Sequence, residues 1–216
     1  MGAKTWMIVY ADRDPREVFR AAPTLDPVAT DALARALFPS ESLGPAQAGD
    51  LGYACPGRDA LVLGCFDGVS VVAAQEFIVA RPTALPSRII EHGRRGTMIF
   101  HGMYSTSDAF AFGLWRDGVL IRWISLAPDD GVVCDIGERL PFEQPYWDGQ
   151  YRVDVDIDEA PYPLPFHPLE LGEAALREYF GYQLEGLVDL SLVDPDTIPL
   201  LRYPRLRRPW WAFWRR

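Results

Sequence analysis

The chain has 216 residues, 49% of them apolar and 12% aromatic, and a formal net charge of −9. That length and composition exclude a disordered chain and allow one large domain or two small ones. The negative charge argues against a body that binds nucleic acid.

The charge is unevenly placed. Residues 202–216 hold six arginines and no acid, so removing them from the total of −9 leaves −15 on the first 201 residues. Cys55, Cys65 and Cys134 are dispersed, which fits thiols in a reducing compartment better than a disulfide framework. The apolar stretch in MGAKTWMIVYAD is too short for a signal peptide, and Trp6 stands where myristoylation needs Ser or Thr. No apolar run approaches the roughly 18 residues of a membrane span, so a cytoplasmic location is expected. Lys4 is the only lysine beside 20 arginines. A phosphate-binding Gly-Lys-Ser/Thr loop is therefore excluded, and Schiff-base chemistry would fall to Lys4 alone.

Taken in chain order, KTWMIVYA reads as a strand. Asp14-Pro15 with Glu17 then has the pattern of a helix cap and capping box. Asp26-Pro27 repeats the start signal, Ala29, Ala32, Leu33, Ala36 and Leu37 give an apolar stripe, and Pro39 ends it. ALVLGCF and VSVVAA are two strands joined by the turn Asp67-Gly68. TALPSRIIEHG predicts a short helix with Gly93 as a left-handed cap, and GTMIFHGMYS a buried strand. A second hairpin turns at Asp117-Gly118. Opposing Arg116 to Val119 without irregularity puts Phe110, Phe112, Leu114, Ile121 and Trp123 on one core face. Asp130-Gly131 leads into a further strand, VVCDIG.

Between Pro141 and Pro168 the chain is rich in proline and aromatic residues and is expected to wrap the sheet. Within it, DVDIDE (154–159) fails as a calcium loop, because Glu159 and Pro165 occupy the positions that need Gly and Glu. Its alternation instead predicts an edge strand. GEAALREYFG predicts a helix with Leu176, Tyr179 and Phe180 inward and Gly181 beyond its end. The expected fold class is α+β: a single domain over residues 1–201, mainly an antiparallel sheet with flanking helices, followed by a basic tail over 202–216.

The blocks MGAKTWMIVYAD, LPFEQPYWDG and YPLPFHPLELGEAALREYFG resemble an uncharacterised actinobacterial family of unknown function, from Met1 to about Gly186. The resemblance implies no activity, substrate, cofactor or functional residue. The tail lies beyond it.

Candidate chemistry is sparse. Asp12 and Asp14 follow the first strand as in phosphoryl-transfer sites of the haloacid-dehalogenase type. That motif needs a small hydroxyl or β-branched residue where Arg16 stands and a downstream lysine, so Asp14 reads as a cap. His101, Ser105 and Asp108 lie close in sequence and give the best hydrolase set, but no G-x-S-x-G elbow accompanies them. A polar turn explains Ser105 to Asp108 equally well. His92, His101 and His167 lack metal-ligand spacing with Asp135, Glu143 or Glu170, so neither metal nor cofactor is expected. Glu143, Tyr146, Trp147, His167 and Glu170 are candidates for a ligand groove, with burial as cover over the sheet as the plainer reading.

In the tail, Arg205, Arg207, Arg208, Trp210, Trp211, Trp214, Arg215 and Arg216 have the composition of an anionic-membrane or nucleic-acid anchor. Pro204 and Pro209 oppose a continuous helix there, and docking onto the chain's own acidic body is a rival reading. The sequence points to a non-enzymatic binding or interaction module with a protein partner, of the partner-neutralising, immunity-like kind. The runners-up are a small hydrolase using His101 with Ser105 or Asp108, and peripheral membrane or nucleic-acid association through the tail.

Overall fold

Both faces of the first strand are apolar, and this requires a sheet covered on both sides. β1 (Lys4–Ala11) is buried along nearly its whole length. In the computed structural model, which describes residues 2–153, 162–187 and 189–206, it lies at the middle of a nine-stranded sheet. The other strands are β2 (Gln47–Asp50), β3 (Ala60–Phe66), β4 (Val69–Ala73), β5 (Thr97–Tyr104), β6 (Ala109–Arg116), β7 (Val119–Ala127), β8 (Gly131–Ile136) and β9 (Pro199–Pro204). Their order is β2-β9-β3-β4-β1-β5-β6-β7-β8. Every neighbouring pair is antiparallel. The fold is α+β.

Five helices are described: α1 (Pro15–Arg20), α2 (Pro27–Leu37), α3 (Ser87–His92), α4 (Gln144–Trp147) and α5 (Pro168–Phe180). One core layer sets Met7, Val9, Ile99 and Phe112 against Phe19 of α1 and Leu171, Leu176 and Phe180 of α5. The other sets Trp6, Ile8, Phe100 and Trp123 against Leu33 and Leu37 of α2, Ile89 of α3, and Phe77. Leu140, Phe142, Trp147 and Phe166 cover the α5 side, as expected for the segment from Pro141. The expected strand at 154–159 lies outside the described residues.

Local signals act as the residue types require. The Asp14 and Asp26 side chains cap α1 and α2, accepting from Arg16 N and from Val28 N and Ala29 N. Gly181 ends α5 at φ 73°, the left-handed conformation that glycine adopts without strain. Gly93 differs from expectation. Its φ is −84°, and glycine is required there for space, because a Cβ would lie 2.9 Å from Met98 Sδ. The buried stripe of α2 is also rotated, to Thr30, Leu33, Ala34 and Leu37, leaving Ala32 and Ala36 exposed. Thr30 fixes that phase: its hydroxyl donates to Asp26 O at 2.6 Å and accepts from Cys65 N of β3 at 2.9 Å.

The largest departure is in the second hairpin. The pairs Arg116–Val119 and Trp115–Leu120 form as expected, but Leu114 then faces Arg122, so Ile121 is an extra residue. Beyond this bulge every side chain of β7 changes face. Phe112 opposes Ile124, and Trp123 joins Trp115 and Phe100 on the α2 side. Trp123 stacks on Phe100 with ring centroids 4.8 Å apart. Gly113 opposes Trp123 in the ladder and makes room for both indoles, since a Cβ there would lie 2.6 Å from each ring. Replacing Gly113 by Ala is therefore expected to destabilise the protein by about 1–3 kcal/mol through overpacking, read as a lower midpoint in urea unfolding.

Candidate functional site

The expected hydrolase trio does not converge. His101 lies on β5 on the α5 side and is completely buried. Its Nε2 is 3.0 Å from Gly172 O, and its Nδ1 is 2.5 Å from Thr5 Oγ1. A carbonyl only accepts, so Nε2 carries the proton and Nδ1 accepts from the Thr5 hydroxyl. Both ring nitrogens are occupied, and the one hydroxyl that meets the ring, that of Thr5, is itself buried. Burial pushes the imidazole pKa down to about 4, against which the Gly172 contact acts weakly. α5 comes this close because Gly172 has no side chain; a Cβ would meet Met103 Sδ at 2.7 Å. Ser105 lies beside Gly2 near the start of the chain, and its amide donates to Ala3 O. Asp108 lies 3.7 Å from His167 Nε2 instead of His101.

The expected groove residues also divide. Glu143 is fully buried and grips Arg122, with Nε–Oε1 at 2.8 Å and Nη2–Oε2 at 2.6 Å. Arg122 Nη1 also donates to Asp135 and to the carbonyls of Ile136 and Gly137. Leu140 N donates to Glu143 Oε1 as well. This is a satisfied internal ion pair that ties the 140–143 segment to β7 and β8. Trp147 packs edge-on against Phe166 and lies under the Arg139 guanidinium, 4.1 Å from the ring centroid. Tyr146, His167 and Glu170 do meet, lining a cavity of about 480 Å³ with Tyr151, Glu173 and Arg177. There His167 caps α5, its Nδ1 accepting from Leu169 N, and Tyr146 donates to Glu170 O. Burial raises the Glu173 pKa, although its carboxylate accepts from Leu184 N and Glu185 N.

A second cavity, of about 250 Å³, lies on the opposite face of the sheet. Its floor is one ladder row, in which Trp6 pairs with Gly102, Gly102 with Ala111, and Ala111 with Ser125. Three small residues side by side make a trough between Trp6, Tyr104 and Phe77. The 77–80 segment roofs it. That roof is pinned at a single atom, Ala80 O, which accepts from Trp123 Nε1 at 3.1 Å and Ser125 Oγ at 2.6 Å. Asp130 and Val133 complete the lining at the β8 end. The signals for this site lie in the small residues inside otherwise bulky strands and in the arginine inside VLIRWISL, but neither decides a face without the bulge.

Among the described residues no group of three His, Cys, Asp or Glu side chains forms a metal-binding arrangement. No helix among them is long and apolar enough to cross a membrane. Of the expected tail residues, Arg205 belongs to the fold. Its amide donates to Asp59 O, its guanidinium pairs with Glu76 at 2.6 Å, and it covers the Phe38 ring. β9 itself runs to Pro204, past the boundary expected at residue 201. Arg207, Arg208, Trp210, Trp211, Trp214, Arg215 and Arg216 lie outside the described residues.

Comparison with known proteins matches the chain over residues 5–203 to a family described as being of unknown function (DUF6928). The chain belongs to that family. The match extends beyond Gly186 and takes in β9, which agrees with β9 being an interior strand of the sheet. Neither the curated proteins nor the solved structures yield a match.

Two outcomes follow from the buried polar groups. Replacing Glu143 by Ala leaves the buried Arg122 with only the partly exposed Asp135 as counter-charge and is expected to cost about 3 kcal/mol, whereas the double change Arg122→Met with Glu143→Leu recovers much of it. Denaturant titration of the three proteins measures this. For His101, the folded pKa of about 4 lies below the ordinary 6.5, so the unfolded chain takes up the proton first. Its contribution is complete above the unfolded value and is lost as pH falls from 6.5 toward 4. The loss is at most about 3 kcal/mol, and a His101→Gln variant should lack that part of the pH slope.

Proposed function

We propose that this chain is a non-catalytic binding module that captures an apolar group of a basic partner protein in the Gly102–Ala111–Ser125 trough. The observation that carries this reading is the trough itself. It is concave, roofed and lined by apolar and aromatic side chains, with one carboxylate, Asp130, in its lining. The charge of −15 on the first 201 residues favours cationic partners by steering their approach. Covering a basic effector in this way would neutralise it, the immunity-like role expected from the sequence. Catalysis finds less support, since His101 is neutral, enclosed and doubly hydrogen-bonded.

The test uses a simple amphiphile. Octylammonium should shift the amide resonances of Gly102, Ala111 and Ser125, and octyl sulfate should bind about tenfold more weakly because Asp130 repels it. An Ala111→Leu variant, which fills the trough, should lose the response. No shift at these amides with octylammonium, or equal binding of both amphiphiles, would show the reading to be wrong.

A further inference from the structure

The sheet ends in two unlike edges. β2 is four residues long and polar at both ends, with Gln47 and Asp50, the kind of short edge that resists further pairing. β8 is six residues long, and among the described residues no strand pairs with its outer side. Its sequence, GVVCDI, has neither lysine nor proline to block such pairing. Val132 and Ile136 are 43% and 42% exposed and lie on opposite faces, Val132 pairing with Leu126 of the α5-side core and Ile136 with Trp123 of the α2-side core.

Acids bracket this edge. Asp129 and Asp130 precede β8 and Glu138 follows it, all exposed, while Asp135 is engaged by Arg122. The edge also reaches the trough, through Asp130 and Val133. Leu126 pairs with Val132 and Ser125 with Cys134, so Val133 is the extra residue of a second bulge, and Val133 lines the trough. Bulges of this kind re-aim side chains beside binding sites.

We propose that the basic partner docks as an extended strand added to the outer edge of β8. Backbone hydrogen bonds run to β8, its basic residues lie beside Asp129, Asp130 and Glu138, and an apolar residue turns in past Val133 to the trough. This rests on the proposed function for the partner's charge and for trough occupancy. Strand addition supplies affinity from the main chain and selectivity from side-chain pockets. A second copy of this chain fits the edge poorly. Antiparallel pairing of two β8 strands sets Asp129 and Asp130 of one copy against Asp135 and Glu138 of the other, placing like charges face to face.

The test uses the full chain and three short synthetic peptides. One alternates lysine and valine, the second is the same peptide N-methylated at alternate residues, and the third alternates glutamate and valine. Amide hydrogen exchange across residues 131–136 is the readout. The lysine peptide should slow exchange there by about tenfold or more at saturation. N-methylation removes the ladder donors while keeping charge and apolarity, so it should abolish the protection, and the glutamate peptide should give none. Equal protection by the N-methylated peptide would overturn strand addition. Slow exchange at β8 in a concentration-dependent dimer without peptide would assign the edge to a second copy and overturn it as well. If octylammonium binds the trough but the lysine peptide leaves β8 exchange unchanged, only strand addition fails. If neither probe acts, both readings fail together.

Discussion

One extra residue, Ile121, sets the arrangement of the β5–β8 half of the molecule. Without the bulge, Trp123 would lie on the α5 side with Phe112, and Arg122 would face α2. With it, Arg122 enters the α5-side core and Trp123 becomes part of the α2-side core. Gly137 makes the bulge possible on the neighbouring segment, because a Cβ there would strike Ile121 O at 2.0 Å. The buried arginine then needs a carboxylate, and the 140–143 segment supplies Glu143. On the other face, the Trp123 and Ser125 side chains reach Ala80 O and hold down the roof of the trough. The ion pair and the roofed trough are thus two consequences of a single register shift.

A sheet covered on both faces leaves little room for polar groups, and its buried histidine, glutamates and arginine each have partners, whereas the Tyr203 hydroxyl and the Trp147 indole N–H have none. His101 bridges Thr5 and Gly172, Glu173 accepts two loop amides, and Arg122 is shared between two carboxylates and two carbonyls. Each ties together segments distant in sequence. Such matching is what burial demands, since an unmatched internal polar group costs more than a matched one contributes. The same residues that suggest chemistry in the sequence therefore hold the fold together. The proposed recognition surface is what remains: the apolar trough, the edge of β8 that no described strand pairs with, and the acidic exterior.

Much of the fold was legible because its signals are local. The two Asp-Gly turns, the Asp-Pro helix starts and Gly181 each act within a few residues, and each appears where expected. The α+β class followed from them. Less legible was anything that depends on a distant partner. The phase of α2 is set by Thr30 meeting Cys65. Glu143, in a segment that resembles a groove, goes inward because Arg122 waits for it. His101, Ser105 and Asp108 are neighbours in sequence yet point to α5, to the chain start and to His167. Tyr146, His167 and Glu170 do share a cavity, since His167 and Glu170 start one helix and the Tyr146 hydroxyl of α4 donates to Glu170 O. The trough was not visible at all, because its floor takes one small residue from each of three strands.

The molecule combines an apolar trough with a strongly acidic body and a fold that buries His101 completely. The proposed binding role rests on that combination. The roof of the trough and the buried ion pair depend on which way β7 faces, and that can be observed directly through nuclear Overhauser contacts of the Trp123 indole. The account predicts contacts to the rings of Phe100 and Trp115, which lie 4.8 and 5.8 Å away between centroids. Contacts to Phe112 instead would place Trp123 on the α5 side, remove the bulge, and contradict both the buried ion pair and the trough.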